Sequence, residues 1–324
     1  MSREIWIICD ADLKCNSDFS KGMISKAYEL GQQSKHRIVA VCFGKQTNND
    51  INELFFYGVD SVFHIDNDEA SPEIFYKLLR DVISKKHPEI IMFSATDFGK
   101  RLASYVSVDF EAGLTAECIE IDVNNENEFD FKRAAINASA IATIQCVNSD
   151  LKLCSIKENI FIPKKLPDPK EIVIEEFVSS EKVSDDFKNL STILKKVKTE
   201  KEEVDINSSN IVFGMGRGIK DKKNVDLLFK VANKIGAAVV GTRAVVEDKL
   251  IEYSRQVGQS GKSIAPEVYI AFGISGASQH IVGIKNAKVI VSVNTDENAP
   301  ISDYADYIIK EEAEKVLSKL DTLF

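Results

Sequence analysis

No two cysteines in this chain are spaced as a metal or disulfide motif requires. The six stand at positions 9, 15, 42, 118, 146 and 154 without a CxxC pair, so neither a zinc site, an iron–sulfur cluster nor a disulfide framework is indicated. They read as core thiols, and a resident redox group would have to be organic. Positive charge is also short: 41 Lys and Arg against 50 Asp and Glu leave a formal charge of -9 and a pI near 5.2, which argues against nucleic acid as a partner. No apolar run nears the roughly 20 residues of a membrane span. The amino terminus, MSREIWIICDADLK, turns acidic directly after a strand-like segment, unlike a secretory leader. A cytoplasmic protein without membrane insertion is the expectation.

What is present suffices for two domains, since 324 residues with 44% hydrophobic and 28% charged content can bury two cores. Residues 4–9, 37–43, 61–65 and 90–94 read as strands apolar throughout. Helices at 19–34, 50–57 and 72–86 separate them, the second ended by Gly58. That succession predicts a parallel sheet covered on both faces. The loop 95–101 enters a further helix and reads as an ordinary cap or as an anion seat. Short strands at 116–123, 129–137, 140–147 and 151–157 suggest an antiparallel extension. Pro163, Pro167 and Pro169 break regular structure before an edge-like strand at 171–178. Lys, Glu, Asp and Ser crowd residues 179–209, a charged linker with the domain junction near 205. The expected fold is α/β, with two Rossmann-like domains, 1–204 and 205–324. Each is a mostly parallel sheet covered by helices, the first carrying the antiparallel extension.

The second domain repeats a pattern of strand, glycine loop and helix. Strands at 210–213, 237–240 and 268–272 are followed by Gly214-Met-Gly-Arg-Gly218, Gly241-Thr-Arg243 and Gly273-Ile-Ser-Gly276. Helices are expected at 224–235 and 277–285, strands at 288–293 and 307–309, and a helix at the end. In a doubly wound sheet these loops converge on the carboxyl edge, where such folds bind ligands. Gly273 and Gly276 allow close backbone approach, the following helix start offers N–H groups to a phosphate, and Ser275 adds a hydroxyl. With the polar loop 258–262, they suggest a large phosphorylated ligand. The spacing GxGxG misses the GxGxxG fingerprint, and Thr242 and Arg243 stand where a nicotinamide fold tends to place a ribose-binding acid. Nor is Ser275 a nucleophile elbow, since Ala277 replaces the second glycine of GxSxG and His280 is too near in sequence.

The strings QVGQSGK at 256–262, APEVYIAFGISGASQH at 265–280 and VSVNTDENAPISDYADY at 291–307 resemble the signature of the α-subunit of electron transfer flavoproteins. A looser likeness includes residues 113–118, GLTAEC, whereas KRAAINASAIATI at 132–144 departs from the family's glycine- and proline-containing pattern. The resemblance implies FAD as cofactor, a β-subunit as heterodimer partner, and an acyl-CoA dehydrogenase or related flavoenzyme as electron donor or acceptor, as in fatty-acid β-oxidation. It implies an electron carrier rather than a substrate-converting enzyme. Some such heterodimers bifurcate electrons from NADH to ferredoxin and an acyl-CoA, which this chain alone leaves open.

A flavin gains negative charge on its N1/O2 side when reduced, so cations and hydrogen-bond donors in the ring plane tune it. By resemblance, Arg243 lies beside the isoalloxazine ring, His280 hydrogen-bonds the ring carbonyl next to N1, and Ser260 meets N5. Gln256, Val257, Gly258, Gln259, Gly261 and Lys262 would surround the ring. Gly273, Ile274, Ser275 and Gly276 would hold the pyrophosphate, with Gly218 and Thr242 on the same rim. Gln279 would face the ribityl chain, and Asn294, with Thr295 and Asp296, the adenosine. Glu312 would replace the family's aspartate near the last strand. From residue pattern alone, Arg243 also reads as a surface ion pair, His280 as a buried helix histidine, Asp296 as a solvated acid, and Arg217 as a phosphate ligand or intersubunit salt bridge. Two alternatives remain. A nicotinamide- or nucleotide-dependent oxidoreductase would need a ribose-binding acid and a poised base, neither evident; a degenerate partner protein would have kept the sheet and lost the ligand.

Overall fold

The computed structural model describes residues 3–10, 14–65, 72–135, 140–147, 149–171, 173–176, 206 and 209–324. Its contacts form two compact units, one taking in residues up to Val197 apart from Ala135–Ala140, the other beginning at Lys198. The expected linker at 179–209 falls almost wholly outside the described residues.

The first unit runs β1 (Glu4–Ile8), α1 (Asp18–Ser34), β2 (Arg37–Phe43), α2 (Asn48–Leu54), β3 (Ser61–Ile65), α3 (Pro72–Lys86), β4 (Ile90–Ser94) and α4 (Asp97–Asp109). It continues through β5 (Gly113–Val123), β6 (Phe129–Ala135), β7 (Ala140–Ile144), β8 (Lys152–Ile156) and β9 (Ile174–Glu176). These strands form one sheet in the order β7-β6-β5-β8-β4-β1-β2-β3-β9. β1 and β4 are buried at every position, as strands covered on both faces must be. Local chemistry sets the helix starts: the Ser17 hydroxyl accepts from the Ser20 amide ahead of α1, and Thr47 with Asp50 forms a capping box on α2.

One expectation changes here. Residues 151–157 do not extend the sheet in antiparallel fashion; β8 is inserted parallel to both β4 and β5, while β5 pairs antiparallel with β6. All five β8 positions are buried, Lys152 included because Glu89 accepts from its ammonium at 3.3 Å, and a strand buried on both faces belongs inside a sheet. The loop at 95–101 takes the first of its two readings, an ordinary cap. α4 begins at Asp97, and the Thr96 hydroxyl accepts from the Gly99 amide at 3.1 Å while donating to buried Asp10, as does Ser94 at 2.7 Å. It is a helix cap tied to the end of β1.

The second unit contains β10 (Ile211–Met215), α5 (Lys222–Ile235), β11 (Ala238–Gly241), α6 (Arg243–Glu247), β12 (Val268–Phe272), α7 (Ser278–Ile281), β13 (Val289–Asn294), β14 (Tyr307–Lys310) and α8 (Ala313–Leu323). Its five strands run parallel in the order β11-β10-β12-β13-β14. Separate apolar clusters, one around Phe213, Leu228 and Phe272 and one around Tyr269, Ile284 and Ile301, cover the two faces. Among the described residues, no helix is long and apolar enough to cross a membrane and all six cysteines are free thiols.

At the amino ends of β1, β4 and β8, Glu89 accepts from Arg3 at 2.6 and 2.9 Å, faces His36 at 3.0 Å and binds Lys152. Burial pushes the Glu89 carboxyl up, but hydrogen bonds from Arg3 and His36 and the Lys152 charge outweigh it and hold it at about 2. A carboxyl depressed in the fold stabilises above its unfolded value near 4.5 and loses that contribution as pH falls toward 2. Unfolding followed by the single tryptophan, buried Trp6, should therefore weaken by about 1–3 kcal/mol between pH 4.5 and 2, and Glu89→Gln should flatten that slope.

Candidate functional site

The carboxyl ends of β10 to β13 meet in a rim whose loops bond to one another. The Gly216 amide donates to Phe272 at 2.9 Å, Gly218 to Gly273 at 3.0 Å, Thr242 to Met215 at 3.0 Å, and Gly273 to Val293 at 2.9 Å. A Cβ on Gly218 would lie 2.6 Å from the Gly273 Cα, and one on Gly216 would lie 2.2 Å from the Gly273 oxygen. Only glycines allow this approach. The amides of Gly218 and Gly273 are thus spent on neighbouring backbone. Gly214 departs from expectation, lying within β10 rather than in the loop.

The helix foreseen at 277–285 is only the four-residue α7, so its dipole offers little. The loop itself supplies the donors. Gly273 and Gly276 have φ of 61° and 90°, and among the described residues the amides of Ile274, Ser275 and Gly276 find no backbone acceptor. Consecutive free N–H groups in a glycine turn make an anion-binding concavity. The Ser275 carbonyl is held by the Ile301 amide at 3.0 Å, and a Cβ on Gly276 would strike that amide at 2.2 Å.

Beside this turn lies a cleft of about 80 Å³ lined by Gly218, Gly273, Asn294, Thr295 and Glu312, with Lys220 and Asn224. It gathers five of the residues picked from sequence, three of them from the ends of β13 and β14. Asn294 holds the turn: its amide donates to the Ile274 carbonyl at 2.9 Å and its oxygen accepts from the Asp296 amide at 3.1 Å. Asp296 is exposed and bonds the Asn298 amide at 2.9 Å, the behaviour of a loop acid. A much larger cavity, about 750 Å³, sits in the first unit beside Arg3, Glu89 and Lys152, where those charges already satisfy one another.

A second loop, residues 256–262, folds back beside β11. Gly258 donates to Lys262 at 3.0 Å, Lys262 to Gln256 at 2.8 Å, and Gln259 to Gln279 at 2.7 Å, which ties the loop to α7. The Gln256 amide donates to the Ser260 hydroxyl at 2.9 Å, leaving the Ser260 O–H available as a donor. Buried Arg255, which sequence reasoning passed over, anchors the loop by donating to the Val239 carbonyl at 2.8 Å and lying over the Phe229 ring. Arg243 is exposed at the start of α6 and pairs with Glu247 at 2.7 Å. Lys220 on the cleft is a second missed cation; only its closeness to Gly218 in sequence hinted at it.

His280 is buried beside the second loop. It is 6% exposed, with Nε2 2.9 Å from the Tyr269 hydroxyl and Nδ1 3.1 Å from the Val257 carbonyl, so both ring nitrogens are engaged inside the protein. Burial pushes its pKa down to about 4, the Val257 bond opposing, and the ring is neutral near pH 7.

A five-stranded parallel sheet with a glycine-contact rim, an anion concavity and a polar cleft defines a nucleotide-cofactor-binding α/β protein. A family model described as the electron transfer flavoprotein FAD-binding domain matches residues 205–285, and one described as the electron transfer flavoprotein domain matches residues 5–182. The chain belongs to the electron transfer flavoprotein α-subunit family, whose cofactor is FAD. It is 33% identical over 320 residues to Protein FixB of Clostridium saccharobutylicum, covering 98% of this chain and 94% of the relative. An electron transfer flavoprotein subunit alpha of Clostridium acetobutylicum is 29% identical, with 98% and 95% covered. The lactate dehydrogenase (NAD(+),ferredoxin) subunit LctC of Acetobacterium woodii is 30% identical, with 93% and 72% covered.

A histidine held neutral by burial costs stability once the unfolded chain protonates. Between pH 6.5 and about 4 the unfolded state binds a proton that the folded His280 refuses, so the second unit should lose about 3 kcal/mol over that window. NMR titration of the His280 ring should give a midpoint near 4; a midpoint near 6.5 would contradict its burial.

Proposed function

We propose that the rim of the second unit, within residues 205–324, holds FAD and that the chain works as the electron-carrying α-subunit of a heterodimer. The observation that carries this is the run of free amides at Ile274, Ser275 and Gly276 opening beside the cleft of Asn294, Thr295 and Glu312. That donor set fits a dinucleotide: an anion concavity for the pyrophosphate, with a carboxylate beside it that accepts from ribose hydroxyls. FAD, when bound, takes up and releases electrons. Every other contribution is the protein's. Ser275 adds a hydroxyl to the concavity, and Gly218 keeps the rim low enough for close approach. Gln279, exposed on α7, faces the ribityl chain. The loop of Gln256, Val257, Gly258, Gln259, Ser260, Gly261 and Lys262 flanks the ring, with the Ser260 hydroxyl as donor. Arg243, beside Thr242 at the end of β11, leaves its exposed pairing with Glu247 to set a positive charge against the ring.

Support for the partners comes from family membership along the whole chain. A β-subunit closes over the flavin, and an acyl-CoA dehydrogenase or related flavoenzyme exchanges electrons with it. Two relatives carry names of larger systems, LctC and, at 30% identity, an acryloyl-CoA reductase electron transfer subunit beta of Anaerotignum propionicum. We extend the proposal on that basis to a bifurcating complex with NADH and ferredoxin, and place it in the cytoplasm, where free thiols persist.

The heterodimer should purify yellow with FAD released on denaturation; a colourless protein that takes up no FAD would refute the reading. Arg243→Ala should lower the reduction potential of the bound flavin by the equivalent of about 1.5–3 kcal/mol, the worth of a hydrogen bond to a charged group. Potentiometric titration checks this, and an unchanged potential removes Arg243 from the ring. Glu312→Ala should weaken FAD binding roughly tenfold, measured by calorimetry on the flavin-free protein.

A further inference from the structure

Asn224, in the first turn of α5, is 5% exposed and lines the cleft at the carboxyl edge of the second sheet. Its side-chain nitrogen donates to the Ile219 carbonyl at 3.0 Å. A carbonyl only accepts, so that bond fixes which way the amide group faces, and Oδ1 is the atom left over. Oδ1 is buried and finds no donor among the described residues. A buried acceptor in that state destabilises the fold, which an apolar residue at the same place would avoid. The nitrogen serves the backbone: the Ile219 carbonyl also accepts from the Asp221 amide at 2.9 Å, closing a tight turn whose centre, Lys220, has φ of 71° and ψ of -52°. Bracing that turn needs only the nitrogen and leaves the oxygen to be explained.

The other residues around the cleft say what that oxygen would meet. Three acids, Glu311, Glu312 and Glu314, line it together with Asn294 and Thr295, against one lining cation, Lys220. A wall so weighted toward acceptors disfavours phosphate and suits an uncharged group that carries N–H or O–H donors. The neighbouring amides of Ile274, Ser275 and Gly276 offer the opposite chemistry, so the rim sorts the parts of a dinucleotide by charge. At about 80 Å³ the cleft takes the donor-bearing edge of a nucleoside rather than the whole of it. We propose that Asn224 reads the nucleoside half of the cofactor: its Oδ1 accepts a hydrogen bond from an uncharged donor of the adenosine, a ribose hydroxyl or the exocyclic amine of the base. This rests on the FAD reading above. The two sources share one chemistry, and a neutral buried oxygen selects for it. A base carrying a carbonyl in place of the amine would set two acceptors against each other, and a ribose without the hydroxyl would leave Oδ1 unpaired.

The test is a cycle of paired changes read by calorimetry on the flavin-free full chain. Wild type, Asn224→Leu and the smaller Asn224→Ala are each titrated with FAD and with three analogues, one carrying hypoxanthine for adenine, one 2′-deoxy and one 3′-deoxy in the adenosine ribose. In the wild type the analogue lacking the donor that meets Oδ1 should bind roughly tenfold more weakly than FAD, the usual effect of stranding one buried polar group. In either variant that analogue should bind as FAD does, because the acceptor it would strand is gone. Which analogue behaves so tells amine from hydroxyl. Penalties equal in wild type and variants for all three analogues overturn the proposal, since a residue that only braces the 219–221 turn would weaken every ligand alike. Three analogues that all bind wild type as tightly as FAD overturn it as well, and that result needs no variant to fold. Wild-type protein that binds none of the four ligands sinks the functional reading instead, whereas FAD bound with additive penalties removes only Asn224 from the site.

Discussion

Two loops at the carboxyl edge of the second sheet touch more closely than any side chain permits. The contact of Gly218 with Gly273, where an added Cβ would come within 2.6 Å of the opposing Cα, sets the shape of the whole rim. The Gly218 amide bonds the Gly273 carbonyl and the Gly273 amide bonds Val293, while the next three amides, Ile274 to Gly276, find no backbone acceptor among the described residues. The same approach brings Gly218 and Gly273 into the wall of the cleft that Asn294, Thr295 and Glu312 complete. Conformational freedom matters at Gly273 and Gly276, whose positive φ values turn the amides in sequence; at Gly216 and Gly218 the absent side chain is the point.

Both units bury ionisable groups, to opposite ends. In the first, Glu89 gathers Arg3, His36 and Lys152, and every charge finds an opposite one, so the network serves the sheet. In the second, the buried ionisable groups among the described residues include the neutral pair Tyr269 and His280 and the cation Arg255, bonded to backbone or to one another beside the 256–262 loop. These bonds hold a loop in place without adding charge near it. The exposed charges, Arg243, Lys220 and Glu312, stand on the open side, where a ligand can recruit them.

The strands of both sheets were legible from their apolar runs, and most of their limits differ from the expected ones by a residue or two. Pairing was less so: nothing in residues 151–157 distinguishes an antiparallel edge from the buried parallel β8, because direction is settled by neighbours remote in sequence. The helix read at 277–285 stops at Ile281 and tightens into turns in which Gly283 donates to His280 and Ile284 to Ile281, with Gly283 close against Gly258. His280 was singled out by motif and lies beside the 256–262 loop, its Nδ1 3.1 Å from the Val257 carbonyl. Its environment could not be read, because the hydroxyl that engages it comes from an apolar strand eleven residues earlier. Arg255 and Lys220 carried no pattern at all.

By itself, the order of residues determined that the chain makes two parallel α/β units, that its glycines gather at strand ends, and which family signature those glycines carry. These follow from periodicity and local backbone freedom, which neighbouring residues control. Tertiary structure decided which amides are spent and which are free, that both nitrogens of His280 are engaged inside the protein, and which charges are already paired. Hydrogen bonds are exclusive, and only when distant segments come together is each donor assigned to one acceptor rather than another.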